Sequence, residues 1–167
     1  MLKYDCCFKL GKWVDLMKWV NHEIVTGVIV YTAVQDPLLA LYSMAGSIIP
    51  DKVEGNPRST NYWSWRSRHR GWSHWPMLYL LLFILQQQIL ASAKLPSLAD
   101  LNVIGSYFCI GAMLHIAEDA ICGKVPFLTP WHKIGVRLFK VGSVTEYLVA
   151  ILIIIGCYII HLLFMVE

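Results

Sequence analysis

The chain has 167 residues, a length typical of one domain, of which 57% are hydrophobic and only 15% are charged. Soluble domains usually carry about a quarter charged residues. Because the apolar residues here form long runs, the composition excludes an ordinary soluble domain and indicates an integral membrane protein. The net charge of +3 is too small to predict a nucleic-acid partner. The apolar runs instead predict that the chain is surrounded by membrane lipids.

The first part of the chain is predicted to lie at, or partly within, the membrane. Residues 1–21 contain "KLGKWVDLMKWV", whose apolar and charged residues fall on different faces, as in a helix lying in the membrane interface. Residues 22–49 are apolar but are interrupted at Asp36-Pro37, and a residue before proline is disfavoured in a helix. Each half is shorter than the roughly 20 residues that span a bilayer. The pattern therefore favours a re-entrant or short helical hairpin over a single span.

Three later segments, residues 76–93, 98–121 and 144–166, are predicted to be transmembrane helices. The expected fold class is therefore an all-α integral membrane protein with a single domain over residues 1–167. With the hairpin in place, thirteen of the 14 lysines and arginines lie on one side of the membrane, and only Lys94 lies on the other. The positive-inside rule places the basic side in the cytoplasm and disfavours a single span by residues 22–49.

Six polar residues lie near the predicted cytoplasmic boundary and are candidates for a functional site. His115 and Asp119 are four residues apart in a predicted helix, so they share one face and can hold one metal ion. An acid in a membrane helix costs free energy and normally has a partner. The other candidates come from three further stretches of the chain: His22, Asp51, His69 and His74.

These residues belong to an ordered set of motifs, "NHEIVTG", "SIIPD", "HRGWSHW" and "GAMLHIAEDAICGKVPFLTPW", followed by "GSVTEYL". The set resembles the YdjM-like family of bacterial inner-membrane proteins, which are described as membrane-bound metal-dependent hydrolases, over about residues 20–147. It is more distantly similar to the zinc-dependent phospholipase C and nuclease group. The resemblance implies a bacterial inner-membrane location and a set of metal ligands: His22, Asp51, His69, His74, His115 and Asp119.

The sequence departs from the family pattern at one ligand position. The family turn carries a second acid two residues after the first, but Val53 stands there and Glu54 follows one place later. Glu54 could replace that acid only if the turn changes register. Nearby, Ser73 keeps the hydroxyl of the usual threonine. Trp75 stands where the family has a small residue, and its larger ring could crowd the entrance.

Together these features predict a metal-dependent hydrolase that cleaves a phosphoester, lipid or lipid-linked, at the cytoplasmic face of the membrane. The cofactor would be a divalent metal, foremost zinc, with manganese as the alternative. Arg70 or Arg68 would stabilise negative charge, and Asp119 or Glu118 would act as general base. A non-enzymatic scaffold or adaptor with a structural metal is the alternative that Val53 favours. A transporter has less support, because no inverted repeat is visible.

Overall fold

The computed structural model describes residues 20–55, 69–93, 99–139 and 143–165. The interfacial helix predicted for residues 1–21 lies almost wholly outside the described residues. Most of the described chain is helical, as the sequence predicts. In chain order the elements are α1 (Val20–Val34), α2 (Pro37–Ser47), α3 (Ile49–Glu54), a 3-10 turn (Trp72–His74), α4 (Pro76–Ala93), α5 (Ala99–Cys122), β1 (Val125–Pro126), β2 (Lys133–Ile134) and α6 (Val144–Met165).

The helix break predicted at Asp36-Pro37 is confirmed. Asp36 caps α2, because its carboxylate accepts hydrogen bonds from the backbone N–H groups of Leu38 (2.8 Å) and Leu39 (3.3 Å). Pro37 suits the first helical position, where no N–H is needed. A Cβ on Gly27 of α1 would lie 2.7 Å from the sulfur of Met44 on α2, and both residues are about equally far from the break. The two helices therefore fold back against each other.

Helices α2 and α5 cross with their backbones in direct contact. A Cβ on Gly46 would collide with the carbonyl oxygen of Phe108, and a Cβ on Gly111 would collide with that of Ser43. Small residues allow such close approach between helices in membranes. Helix α3 begins just after α2 and contacts the later part of α5, where Ile49 packs against the core that contains Ile116 and Asp51 lies 3.8 Å from His115.

A second contact region joins the loops to the end of α5. Tyr79 in the first turn of α4 packs in a small core with Ala112, Ile116 and Val125, and its hydroxyl donates to the Ser73 carbonyl (2.9 Å). The two short strands pair in antiparallel register, with Val125 opposite Ile134. These contacts attach the "HRGWSHW" segment to the end of α5.

Helix α6 lies beside α1, and the two run in the same direction. The side-chain amide of Asn21 donates to Glu146 near the start of both helices (3.0 Å). Near the other end, Nε2 of Gln35 lies 2.9 Å from Nδ1 of His161. The α1 arm of the hairpin therefore follows α6 over most of its length.

Two described helices are long and apolar enough to cross a membrane, Ala99–Cys122 and Val144–Phe164. They correspond to the second and third predicted spans. The first predicted span, residues 76–93, is helical, but its apolar part, Pro76–Leu90, is shorter than the roughly 20 residues that span a bilayer. The prediction of three transmembrane helices is therefore not confirmed.

Two of the three glutamines of α4 have polar partners on α5. The Gln86 side-chain amide donates to the carbonyl oxygen of Asn102 (2.7 Å), and that of Gln87 donates to the hydroxyl of Ser106 (2.7 Å). Asn102 in turn donates to the side-chain oxygen of Gln87 (3.0 Å). This network satisfies polar groups that would be costly to leave unpaired in an apolar environment.

Candidate metal centre

Four segments bring histidine and aspartate side chains together at the end of α5. His22 lies at the start of α1, and Asp51 lies on α3. His74 ends the 3-10 turn, while His115 and Asp119 lie on consecutive turns of one face of α5. Three of these side chains, those of His74, His115 and Asp119, are almost fully buried. Five of the six ligands implied by the family resemblance therefore meet in one place.

The side chains form two adjacent groups that share His115. In the first group, Nε2 of His22 lies 3.7 Å from Oδ1 of Asp119, and the rings of His22 and His115 are 4.2 Å apart. In the second, Nε2 of His74 lies 3.3 Å from Oδ1 of Asp51, and Nε2 of His115 lies 3.8 Å from the same oxygen. The potential ligand atoms within each group lie within 4.8 Å of one another.

The ring nitrogens at the centre have the arrangement expected of ligand atoms. Among the described residues, neither Nε2 of His74 nor either ring nitrogen of His115 makes a hydrogen bond, although all are buried. Two ligand atoms that bind one zinc ion at about 2.1 Å in tetrahedral geometry are about 3.4 Å apart. The 3.3 Å distances from His74 to Asp51 and to Asp119 are close to this value. The residues therefore fit a divalent metal.

Two glutamates orient the histidines from outside. Oε2 of Glu118 lies 2.6 Å from Nδ1 of His22, and Thr26 donates to its other oxygen (3.2 Å). Oε1 of Glu54 lies 3.0 Å from Nδ1 of His74. A carboxylate on Nδ1 favours the tautomer whose Nε2 carries the free lone pair, and metal-binding histidines commonly have such partners.

Glu54 also organises the "HRGWSHW" turn. Its carboxylate accepts hydrogen bonds from the backbone N–H of Arg70 (2.8 Å) and from the hydroxyl of Ser73, and it contacts Nδ1 of His69 (2.6 Å). Val53, where the family pattern has an acid, is 70% exposed. Glu54, and not Val53, therefore contacts the turn. It supports His74 from the Nδ1 side of the ring, away from the two groups that share His115.

His69 lies at the edge of the cluster. Asp51, Glu54 and His69 form a third group whose ligand atoms lie within 4.8 Å of one another. The ring of His69 is 5.8 Å from that of His74 and contacts Glu54. The two groups that share His115 do not include His69, and its role as a ligand stays a prediction.

Arg70 is held against Asp119. Its Nη2 donates to Oδ1 of Asp119 (2.7 Å), and its backbone has a positive φ of 56°. A Cβ on Gly123 would collide with the Arg70 guanidinium, so glycine provides the space that the arginine occupies. The other arginine that the sequence suggested, Arg68, lies outside the described residues.

The carboxylates of the site outnumber its one guanidinium. Four carboxylates, those of Asp51, Glu54, Glu118 and Asp119, surround the histidines and face one guanidinium. Burial would raise the pKa of Glu54 and of Asp51, but contacts with histidines hold both pKa values below their usual range. Burial alone would lower the pKa of His74, yet the carboxylates of Asp119, Asp51 and Glu54 raise it to about 11. A proton or a metal ion must balance these carboxylates.

Sequence reasoning missed several supporting residues whose spacing carries a signal. Thr26 follows His22 by one helical turn, so it lies on the same face as a candidate ligand. Gly111 and Gly123 flank His115 and Asp119 at the same four-residue interval. Both glycines mark close contacts beside the site.

The fold and the site together define a helical membrane protein with a buried cluster of histidine and acidic residues. Residues 17–166 match the family model of the YdjM inner membrane protein, and the chain belongs to this family. No curated protein and no solved structure matches the chain. The similarity to zinc-dependent phospholipase C therefore stays a prediction.

The position of Glu54 leads to a direct test. Glu54→Gln should weaken zinc binding by about 10- to 100-fold, because the charged partner of His74 Nδ1 is lost. Competition with a fluorescent zinc chelator measures this affinity. Val53→Ala, at the exposed neighbouring position, should bind zinc like the unaltered protein. Equal affinity of the Glu54 variant and the unaltered protein would show that Glu54 does not support the site.

Proposed function

We propose that the protein is a membrane-bound metal-dependent hydrolase that cleaves a phosphoester, lipid or lipid-linked, at the cytoplasmic membrane face. The main support is the convergence of His22, His74 and His115 with Asp51 and Asp119, with buried ring nitrogens that make no hydrogen bonds among the described residues. Such nitrogens are costly to bury without a partner, and a bound cation would supply one.

The ligands would be the two groups that share His115, and their mixture of nitrogen and oxygen donors suits zinc, with manganese as the alternative. When bound, a divalent metal supplies a Lewis acid and makes a coordinated water more acidic. Glu118 and Glu54 hold His22 and His74 in the tautomer that such binding needs.

Arg70 is the residue best placed to act on the substrate. Its guanidinium lies on Asp119 at the edge of the cluster, where it can donate hydrogen bonds to a phosphoryl oxygen. Asp119 and Glu118 stay candidates for the general base. Glu118 already contacts His22, so proton transfer through Glu118 would require that contact to loosen.

The arrangement of charges and apolar residues supports a substrate at headgroup level. His115 and Asp119 lie in the last two turns of a candidate span, and Lys124, Lys133 and Arg137 follow within the next loop. We therefore propose a multi-pass topology with α4 as a third span, the hairpin α1–α2, and the site on the cytoplasmic side. The exposed rings of Trp72 and Trp131, 5.9 Å apart beside the site, suit the membrane interface.

The function can be tested with zinc-loaded protein in mixed micelles containing phospholipid and, separately, a water-soluble phosphodiester. We expect metal-dependent release of phosphate-containing product. Arg70→Lys keeps the charge but loses the planar fork, and should lower turnover by about 10²- to 10³-fold while zinc content stays unchanged. Zinc binding without hydrolysis of any phosphoester would contradict the proposed hydrolase activity and favour a scaffold with a structural metal.

A further inference from the structure

An open cleft runs from the metal cluster along α6. It contains about 420 Å³ of space, counting the part that opens outward. Apolar side chains from three helices and one loop form its walls: Val25, Ile121, Phe139, Val149, Ala150 and Ile153. His22 and Glu118 line the same cleft, so it opens directly onto the side of the cluster that holds His22. We call it the α1–α6 cleft.

Two polar contacts hold the helices on either side of this cleft. Asn21 and Glu146 are hydrogen-bonded beside His22, and Gln35 contacts His161 at the other end of α1. Between these contacts the walls are apolar. The cleft is therefore polar at the metal end and apolar along α6.

The surroundings of the cleft narrow the choice of ligand. Val149, Ala150 and Ile153 belong to the candidate span Val144–Phe164, so the cleft opens toward the apolar part of the membrane. A polar ligand along these walls would lose its hydrogen bonds to water without replacement. A hydrocarbon chain has no hydrogen bonds to lose there, and the polar end of the lipid that carries it would reach His22.

We propose that the α1–α6 cleft binds one hydrocarbon chain of a lipid whose phosphoester lies at the His22 side of the metal cluster. This inference rests on the proposed function and specifies its substrate as a long-chain lipid. Bilayer tails are as apolar as the cleft, so the cleft adds little affinity by itself. Its role is to fix the depth and direction of the chain, which places the phosphoester next to Arg70 and Asp119.

The test uses full-length protein in vesicles of phosphatidylethanolamine and phosphatidylglycerol that contain a phosphatidylglycerol with a diazirine on its acyl chain. After illumination, mass spectrometry locates the labelled residues. We expect labels concentrated on Val149, Ala150 and Ile153. Ala150→Trp should reduce labelling of Val149 and Ile153 by about tenfold, because the added ring would take the place of the chain in the cleft. Leu152→Trp, at a neighbouring position that is 67% exposed, should not.

Labels spread evenly over exposed α6 residues such as Leu152 and Ile155 would overturn the proposal, as would labelling that Ala150→Trp leaves unchanged. The label pattern of the unaltered protein decides the question even if the tryptophan variant fails to fold. Labelling needs no turnover, so a missing hydrolase activity and an empty cleft give separate results.

Discussion

Replacing His115 with alanine should abolish metal binding and all metal-dependent turnover. His115 belongs to both groups of candidate ligands, whereas His22 and His74 each belong to one of them. Its ring is 1% exposed, and neither ring nitrogen makes a hydrogen bond among the described residues. The variant therefore loses packing and ligand atoms, but it breaks no hydrogen bond of the ring.

Thermal unfolding in detergent, with zinc or with a chelator, measures this effect. A ligand that binds only the folded state at about 1,000 times its Kd adds about 4 kcal/mol of stability, so zinc should raise the unfolding temperature of the unaltered protein. His115→Ala should show no zinc-dependent rise. The matched control is His161→Ala, which removes a histidine that contacts Gln35 away from the cluster and should keep the full rise. A zinc-dependent rise in the His115 variant would contradict the ligand assignment.

Gly111→Ala should destabilise the fold and weaken the metal site together. A Cβ at this position would collide with the backbone carbonyl of Ser43, and the backbone cannot rotate away as a flexible side chain can. Forcing extra atoms into a packed contact typically costs about 1–3 kcal/mol. Because α3 follows α2 directly, separation of α2 from α5 would also move Asp51 away from His115.

Gly156→Ala is the control for this prediction. Gly156 lies on α6, and a Cβ there would meet no atom within 4 Å. The substitution adds the same methyl group to a helix, where alanine is intrinsically favoured over glycine. Its zinc affinity should match that of the unaltered protein, and its unfolding temperature should be equal or higher. A Gly111 variant that behaved in the same way would show that α2 and α5 are not closely packed at this crossing.

Much of the site's location could be predicted from local sequence rules. The spacing of His115 and Asp119 places both on one face of a helix, and Asp36-Pro37 predicts a helix break because proline restricts its predecessor. Both features are present in the structure. The ordered motifs also predicted that the distant residues His22, Asp51 and His74 would lie close together. Their role as metal ligands stays a prediction.

Other features depend on tertiary contacts that no local pattern encodes. Glu54 looked like a displaced ligand, but the direction of α3 carries it to the Nδ1 side of His74, where it supports the turn. Room for Arg70 comes from Gly123, and only the tertiary contact between them shows that a larger residue there would displace the guanidinium. The span predicted for α4 is not confirmed, because an 18-residue helix with glutamines in its second half has a shorter apolar part than its length suggests.

The central claim is that the histidine and aspartate cluster binds a metal ion. The most direct measurement is the metal content of detergent-purified protein by mass spectrometry, compared with a variant that carries His74→Ala and His115→Ala. We predict about one or more zinc or manganese ions per chain in the unaltered protein and none in the variant. An unaltered protein that binds no metal, even after reconstitution with zinc or manganese, would contradict the account.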